Sequence, residues 1–472
     1  MAEAQVQTIA TSNDGFGSKG YRAYVLSALT IAYIFNFIDR VMIGILAEPI
    51  ISHFGLTDMQ FGLLSGLAFA LFYTLLGIPI ARLSERFDRT LIIGCAILLW
   101  SGMTVLCGLA TSFWMLFIFR LGVGVGEAGL TPPANSLISD YFKPTSRAQA
   151  LAIYAMGITV GTFFANLFVG LTGAQVSWQQ TFIIIGIAGI PVGILMILSV
   201  KEVPRGYSDP PGATRQESPG IFDTLKELGT KPTFWWTTAG ATLASFVGYG
   251  IGNFIISFLV RNHSITVPEA ALTYMAPLSI VAAFGTWLCG FLVQRLANGR
   301  PVSSLWMTAL SLTIASLAYI AAFNVGSVAM ILPLLVLANL FHYWYLGPMY
   351  SVTSSVVSAR SRATAVAILL FVVNLIGYGL GPIFVGWLSD IMATSALAST
   401  PELSLSICKA DVSALVQAQI DTCRTAIGTG LKNSISVTML IFIVAAGCFL
   451  MAMRTYHKDT AVETGPEVTA AT

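Results

Sequence analysis

Four ionisable residues lie inside long apolar stretches of the sequence: Asp39, Arg40, Arg120 and Glu127. An isolated charge inside a membrane costs at least about 3 kcal/mol on insertion scales, so such groups usually pair or face a cavity. A carboxylate beside a guanidinium group changes its preferred partners when it takes up a proton. The pattern therefore predicts a switchable charge network. A static pair that only fixes two helices against each other is the alternative.

The depths of these residues in the membrane favour contact between them. At a rise of about 1.5 Å per residue, Asp39 would lie roughly 14 Å from the outer end of its helix, Arg120 roughly 10 Å and Glu127 roughly 21 Å. Arg120 and Glu127 also share one helix face, because they are seven residues apart. We expect Asp39 to be the first candidate for a coupling proton and Glu127 the second.

The composition of the chain is that of a protein that crosses a membrane many times. Of 472 residues, 56% are hydrophobic and 10% are charged, against roughly 25% charged residues in a soluble domain. The mean hydropathy is +0.79. These values exclude a soluble enzyme and a nucleic-acid-binding protein. The six cysteines and four histidines have no zinc-binding spacing, so no metal or cofactor is expected.

Twelve apolar runs are long enough to cross a membrane, which predicts an all-α polytopic protein with twelve transmembrane helices. The runs lie near 22–48, 58–81, 91–110, 113–140, 148–172, 178–200, 233–260, 268–294, 302–323, 327–357, 363–391 and 432–453. If the N-terminus is cytoplasmic, 18 Lys and Arg residues fall in inner connections and four in outer ones. Positive charge concentrates in cytoplasmic loops. We therefore expect both termini to be cytoplasmic, in a bacterial inner membrane.

A connection rich in Pro, Gly and charge divides the runs six and six. The predicted organisation is a cytoplasmic tail at 1–20, a first six-helix bundle at 21–200, a cytoplasmic linker at 201–232, a second bundle at 233–454 with an outer loop at 392–431, and a cytoplasmic tail at 455–472. The later part of the linker, 221–228, is expected to form an amphipathic helix at the inner surface.

The two halves of the chain contain similar segments. Residues 146–153 read SRAQALAI and residues 361–368 read SRATAVAI, and each segment follows a predicted cytoplasmic loop. Parallel repeats of six helices are a transporter architecture, with the substrate site near the midplane between the repeats. Chance similarity between apolar segments is the alternative.

These residues resemble the major facilitator superfamily. The loop at 81–89, ARLSERFDR, is similar to the signature G-x-L-a-D-R-x-G-R, from which Ala81, Glu85 and Asp88 depart. The resemblance implies the major facilitator fold, two pseudo-repeated six-helix bundles. It also implies a cytoplasmic latch formed by Glu85, Arg86 and Arg89, although these charges would equally serve positive-inside topology.

Helices 1 and 4 carry a closer resemblance, to the Spinster family within that superfamily. The residues are Asn36-Phe-Ile-Asp39-Arg40 in helix 1 and Arg120 with Gly126-Glu127-Ala128 in helix 4. The resemblance implies lysolipid or sphingolipid cargo, such as sphingosine-1-phosphate, and proton coupling in some members. The match of 124–129 to G-x-G-x-x-G is not a dinucleotide loop, because no strand precedes it. Close helix packing explains these glycines better.

Neutral polar and aromatic side chains dominate the interior of the second half. The predicted cavity residues there and in helix 1 are Asn36, Tyr249, Asn253, Asn339, His342, Tyr345, Asn374 and Tyr378. A cavity with one charged and one apolar-aromatic wall would suit an amphiphile. The alternative is that the tyrosines anchor the membrane interface and the asparagines bond neighbouring helices.

Two cysteines, Cys408 and Cys423, share the predicted outer loop, where an oxidising compartment would allow a disulfide. Such a bond would stabilise the fold by about 3 kcal/mol.

Together these features predict a secondary transporter that works by alternating access, coupled to protons, with a lipid-like or organic anionic cargo. We expect a monomer whose partners are cargo, protons and the bilayer, with no nucleic acid. A proton symporter for a small organic acid is the alternative. A membrane enzyme acting on lipids would need a nucleophile and a base at matched depth, which the sequence does not offer. A channel is disfavoured by the repeat of six helices.

Overall fold

The computed structural model describes residues 15–208, 220–297, 300–358, 360–409 and 415–461. Within these ranges the ordered elements are helices, and no strand occurs. Eleven of the described helices are long and apolar enough to cross a membrane, and a bent pair counted as one span makes a twelfth. The all-α fold with twelve spans is therefore confirmed.

The spans are numbered α1 to α12 in chain order. Their bounds are Lys19–Ile45, Asp58–Ser84, Arg89–Gly108, Phe113–Tyr141, Pro144–Thr172, Trp178–Ser199, Pro232–Gly252 with Ile255–His263, Val267–Leu296, Pro301–Asn324, Val328–Ser355, Arg362–Leu397 and Gln417–Thr460. Most ends agree with the sequence prediction within a few residues, because apolar runs set the helices.

Polar residues at the loops determine where several spans begin. Thr57 starts α2 and Ser177 starts α6, each with a reciprocal pair of hydrogen bonds to a glutamine three residues later. Asp88 caps α3 by accepting a hydrogen bond from the Leu91 N–H at 2.8 Å. Proline at the first helical position starts α5, α7 and α9, where the missing N–H is not needed.

Two spans are interrupted at positions that carry proline or glycine. In α4 the regular helix ends at Glu127 and resumes at Thr131, directly before Pro132. Proline cannot donate the backbone hydrogen bond that would continue the first segment. In α7 the segments Pro232–Gly252 and Ile255–His263 are bent by 44°. The glycine-rich stretch that ends at Gly252 precedes this break.

Two stretches near the C-terminus that were predicted as loop and tail contain helix. The outer loop predicted at 392–431 is shorter, because α11 continues to Leu397 and α12 begins at Gln417. The polar start of α12 hid its helical character, although its Cys423 and Ala426 pack on Leu397 and Leu403. The cytoplasmic tail predicted from 455 is helical as far as Thr460. Predicted tail residues 1–14 and 462–472 lie outside the described residues.

A short helix in the linker, Ile221–Gly229, leads into α7. Its Thr224 and Leu228 are fully buried, whereas Phe222 is 86% exposed. Glu227 fixes the helix by accepting hydrogen bonds from the backbone and hydroxyl of Ser358 and from the Ser361 hydroxyl. The structure thus confirms that residues 221–228 form a helix with one buried and one exposed side.

The chain divides into two compact units. The first lies within Met1–Ile43 and Leu71–Arg215, and the second within Gly44–Ala70 and Gln216–Thr472. The sequence did not predict that segment 44–70, the last residues of α1 and the first part of α2, would group with the second unit.

The first unit is held together by close contacts of α3 with α4 and α6. A Cβ atom at Gly126 would lie 2.7 Å from the backbone nitrogen of Trp100, and one at Gly186 would lie 2.7 Å from the Ser101 carbonyl oxygen. Real Cβ contacts are not that short, so only glycine fits at either position. The interpretation of the α4 glycines as a packing surface is confirmed.

The second unit has a similar glycine contact between α2 and α11. A Cβ atom at Gly62 would lie 2.3 Å from the Pro382 carbonyl oxygen, and one at Gly386 would lie 2.1 Å from that of Asp58. The first part of α2 is therefore packed backbone to backbone on α11.

Candidate functional site

Arg40 and Glu127 form a buried ion pair inside the first unit. The Arg40 Nε and Nη2 atoms both donate to Glu127 Oε2, at 3.0 and 2.7 Å. The guanidinium group also lies over the rings of Phe37 and Tyr73, with 4.7 and 4.6 Å to their centroids. A guanidinium group tolerates such aromatic surroundings because its planar charge is attracted to ring faces.

The two oxygens of the Glu127 carboxylate have different surroundings. Glu127 Oε1 is buried and has no hydrogen-bond partner among the described residues. Asn36, a predicted cavity residue, accepts a long hydrogen bond of 3.4 Å from Arg40 Nη2 through its Oδ1. Its Nδ2 atom is likewise buried without a partner in the described part of the chain. Unsatisfied polar atoms are uncommon in protein interiors and mark places where a proton, water or ligand can bind.

Asp39 and Arg120 form the second pair of the first unit. Arg120 Nη1 lies 3.4 Å from Asp39 Oδ1, and the Thr104 hydroxyl donates a short hydrogen bond to Asp39 Oδ2. Arg120 is fully buried and Asp39 is 1% exposed. The structure thus brings the four predicted charges into two separate pairs, with Thr104 as a partner that the sequence did not reveal.

The predicted latch residues differ in how far they are exposed. Glu85 and Arg86 are exposed, whereas Arg89 is fully buried. Arg89 donates to Glu202 Oε1 at 2.7 Å and forms a short ion pair with Asp140. These two carboxylates were missed, because the signature loop alone does not indicate partners about 50 and 110 residues further along the chain.

A polar cluster occupies the interior of the second unit. Asn339 Nδ2 donates to the Tyr319 hydroxyl at 3.1 Å, and the same hydroxyl lies 3.1 Å from Nδ1 of His342. The ring of Tyr343 stacks on His342 with centroids 4.3 Å apart. Tyr319, on α9, was not predicted from the sequence, since one tyrosine in an apolar span has no distinguishing pattern.

Two further pairs of predicted cavity residues belong to the same unit. Tyr249 stacks on Tyr378, with 4.3 Å between their centroids. The hydroxyl of Tyr345 lies 3.0 Å from that of Ser245. Asn253 donates to the Tyr249 carbonyl oxygen at 2.8 Å, within its own helix, which fits the alternative of a structural asparagine.

A π-helical turn, Val373–Tyr378, carries the remaining predicted residues of α11, Asn374 and Tyr378. Asn374 is half-buried. Such turns are frequent at functional sites because they rotate side chains out of the regular helical register. Sequence periodicity does not predict them.

A cluster of charges lies where α2, α7 and α11 meet the loop that the sequence predicts to be outer, all within the second unit. We call it the outer charge cluster; it comprises Glu48, Asp58, Arg261, Asp390 and Lys409. Arg261 donates to both oxygens of Asp58 at 2.8 and 3.0 Å and to Glu48 at 2.8 Å. Lys409 lies 2.8 Å from Asp58 and 3.1 Å from Asp390.

The outer charge cluster is joined to a disulfide. Cys408, directly before Lys409, is bonded to Cys423 of α12. Asp390 in turn accepts hydrogen bonds from the backbone N–H groups of Asp58 and Met59, which satisfies the start of α2. Among the described residues, no group of three or more His, Cys, Asp or Glu side chains could hold a metal ion.

Twelve apolar spans with buried charge pairs define the class of protein. The sequence profile of the Major Facilitator Superfamily matches residues 29–382, so the chain belongs to this superfamily. It is an integral, multi-pass membrane transporter and not an enzyme. Among solved structures, a bacterial homologue of the human lysosomal transporter Spinster, in an inward-facing and unoccupied conformation, is similar with a TM-score of 0.86. It is 43% identical, over 94% of this chain and 99% of that chain.

Three curated relatives extend the comparison. An MFS-type efflux pump of Mycolicibacterium smegmatis is 30% identical over 77% of this chain and 84% of its own length. The sphingosine-1-phosphate transporter SPNS2 of Danio rerio is 24% identical, over 78% and 76%. The hexuronate transporter of Bacillus subtilis is 24% identical, over 78% and 88%. The resemblance to the Spinster family is therefore confirmed.

Proposed function

We propose that this chain is a proton-coupled secondary transporter that moves an amphiphilic, lipid-like anion by alternating access. The observation that carries the proposal is the buried pair of Arg40 and Glu127. One carboxylate oxygen accepts both hydrogen bonds from Arg40, and the other has no partner among the described residues. A carboxylate held in this way is able to accept a proton without first breaking every contact it makes.

Protonation of Glu127 would weaken its attraction to Arg40. The free-energy difference between two conformations of a transporter is typically a few kcal/mol, and the loss of a buried ion pair is of that size. Asp39 is the second candidate, since its two oxygens already have partners in Thr104 and Arg120. The open Oε1 atom favours Glu127 over Asp39, the reverse of the order expected from the sequence.

The cargo class is supported by the chemistry of the two units and by the relatives. Arginines lie in the first unit, and tyrosines, asparagines and a histidine lie in the second. An anionic headgroup suits arginines, and an apolar tail suits aromatic side chains. SPNS2, which is named as a sphingosine-1-phosphate transporter, is similar over 78% of this chain.

A small organic acid is the second candidate cargo. It is favoured by the similarity to a hexuronate transporter over 78% of the chain. Both cargoes carry anionic oxygens, so both would suit Arg40 and Arg120.

The remaining parts of the proposal concern placement. We place both termini in the cytoplasm, in a bacterial inner membrane, since positive charge concentrates in the corresponding connections. The protein acts as a monomer, with the latch at 85–89 on the inner side. Its six-helix bundles are taken at 21–200 and 233–454.

The test uses purified protein in proteoliposomes with an imposed pH gradient. A fluorescent lysophospholipid and a radiolabelled hexuronate are offered separately, with protein-free liposomes as the control. Lysolipid flux that follows the gradient supports the proposal, and hexuronate flux supports the second candidate. If neither cargo is transported, or if the flux does not depend on the pH gradient, the proposal of a proton-coupled transporter is contradicted.

A further inference from the structure

His342 of α10 has one satisfied and one unsatisfied ring nitrogen. The residue is 4% exposed. Its Nδ1 atom lies 3.1 Å from the Tyr319 hydroxyl, whereas its Nε2 atom has no hydrogen-bond partner among the described residues. A histidine that serves only packing would be expected to satisfy both nitrogens, because buried polar atoms without partners are costly.

The neighbouring hydrogen bonds determine which nitrogen carries the proton. Asn339 Nδ2 can only donate, and it donates to the Tyr319 hydroxyl. That hydroxyl has a single proton, and among its described partners only Nδ1 of His342 can accept it, which favours an unprotonated Nδ1. A neutral imidazole that accepts at Nδ1 holds its own proton on Nε2. The unsatisfied group is therefore an N–H donor that needs an acceptor.

The side of the ring that carries this donor faces a glycine of α7. A Cβ atom at Gly248 would lie 2.7 Å from Nε2 and 3.0 Å from the adjacent ring carbon. Gly248 is half-buried, so this edge of the ring is covered by a side-chain-free stretch of a helix surface. Gly252, one turn further along α7, has no atom within 4 Å of a Cβ at its position.

The described side chains that pack on the ring carry no charge. Tyr319, Tyr343 and Phe442 pack around the imidazole, with centroid distances of 5.8, 4.3 and 5.0 Å. In such surroundings the neutral donor would be satisfied best by a strong acceptor that a ligand supplies. An anionic oxygen is the strongest such acceptor, since hydrogen bonds to ionised groups are about twice as strong as neutral ones.

We propose that His342 is a specificity-determining residue, whose Nε2–H donates a hydrogen bond to an anionic oxygen of the cargo headgroup beside Gly248. This inference rests on the proposed transport function and assigns a headgroup donor to a residue of the second unit. The shared chemistry is a phosphate or carboxylate oxygen, so the ligand could be a lysolipid phosphate or a hexuronate carboxylate.

The test measures binding to the purified protein, so that it does not depend on transport. The probes are a lysolipid that bears a phosphate, an amine of the same chain length without phosphate, and a hexuronate. The variants are His342→Phe, which removes the donor, and His342→Gln, which keeps an N–H donor. Gly248→Ala places a methyl group against Nε2, and Gly252→Ala is its matched control on the same helix.

We expect His342→Phe and Gly248→Ala to raise the dissociation constant of the preferred anionic probe about tenfold. The dissociation constant of the amine should change less than twofold, His342→Gln should restore part of the affinity, and Gly252→Ala should bind as the wild type does. Equal losses for anionic probe and amine, or equal effects of Gly248→Ala and Gly252→Ala, would overturn the inference. So would a wild type that binds neither anionic probe better than the amine.

Flux measurements separate this inference from the transport proposal. A wild type that binds the anionic probe selectively but does not move it would overturn the transport function and leave the role of His342 as a binding residue intact. Unchanged selectivity in His342→Phe, in a wild type that does transport, would overturn only the role of His342.

Discussion

Asp58 illustrates how much a single carboxylate can hold together. It is 1% exposed and binds Arg261, Lys409 and the Ser389 hydroxyl, the last at 2.6 Å. The sequence places these partners about 200 to 350 residues away, at helix ends that look like ordinary loop positions. No local pattern indicates that they meet, because the contact is made only when α2 packs on α11.

Replacing Asp58 with alanine would leave two buried cations without their shared partner. Removing one member of a buried ion pair typically costs about 3–5 kcal/mol. We therefore expect Asp58→Ala to lower the thermal unfolding midpoint clearly, measured by the fluorescence of purified protein in detergent. Asp421→Ala, at an exposed position of α12, is the control and should change stability by less than about 0.5 kcal/mol. Equal midpoints for both variants would show that the outer charge cluster does not stabilise the fold.

Glu227 permits a prediction about pH at the same scale. Burial alone would raise the pKa of Glu227, but hydrogen bonds from the Ser358 backbone and the Ser361 and Ser358 hydroxyls outweigh it and lower the pKa below its usual 4.5. A carboxyl group with a lowered pKa stabilises the fold above its unfolded pKa, and this contribution is lost as the pH falls through the folded value.

The stabilisation by Glu227 should therefore be present at pH 7 and decline below about pH 4.5. The difference in unfolding midpoint between wild type and Glu227→Gln is measured from pH 7 to pH 3.5. We expect this difference to shrink over the acidic part of the range. A difference that stays constant with pH would mean that the carboxylate charge does not tie the linker helix to the start of α11.

Among the elements, the apolar spans were predictable and the deviations from regular helices were not. Runs of about 20 apolar residues determine α1 to α11 almost completely. Proline and glycine marked the interruptions of α4 and α7. The π-helical turns, among them Val373–Tyr378, leave no trace in the pattern, because one extra residue per turn can be inserted into any apolar run.

The extension at the N-terminal end of α12 escaped prediction for a different reason. Its first turns, from Gln417, are polar, and polar helices are recognised only through their contacts. The contact here is the disulfide between Cys408 and Cys423, which closes a loop with a sequence separation of 15. The bond fastens the short helix Leu405–Lys409 and thereby holds Lys409 in the outer charge cluster.

Loss of this disulfide should destabilise the end of the second unit that carries the outer charge cluster. A loop of this length is expected to contribute about 3 kcal/mol. We expect Cys423→Ser, or treatment of the wild type with reductant, to lower the unfolding midpoint, whereas Cys95→Ser, at an exposed cysteine, should leave it unchanged. Additivity of Cys423→Ser with Asp58→Ala would contradict the link between disulfide and cluster, because coupled residues are not additive.

For the whole molecule, composition and apolar runs were enough to predict the class of protein and its twelve spans, and the resemblance of residues 81–89 to a known signature indicated its superfamily. The residues of the candidate site were also named, because ionisable groups inside apolar spans are rare. Which of these residues pair with each other could not be predicted. Arg40 binds Glu127 of another helix, although Asp39 is the neighbour of Arg40 in the sequence. Side-chain direction around a helix decides such partners, and it depends on packing that a single sequence does not reveal.

The grouping of segment 44–70 with the second unit could not be predicted from the sequence either. The repeat predicted a division between the sixth and seventh spans. Packing of α2 on α11, through Gly62 and Gly386, instead assigns the first part of α2 to the second unit. Glycines that permit close approach are visible in a sequence, but the helix that approaches them is not.

The most direct test of proton coupling through Glu127 is cargo-dependent proton entry into proteoliposomes, followed with a trapped pH indicator. The wild type is compared with Glu127→Gln and with Asp421→Asn as an exposed control. We expect addition of a phosphate-bearing lysolipid to start proton movement in the wild type and the control, and to start none in Glu127→Gln, which should still exchange labelled lysolipid. Cargo-driven proton movement that persists in Glu127→Gln would contradict the assignment of the proton to this buried pair.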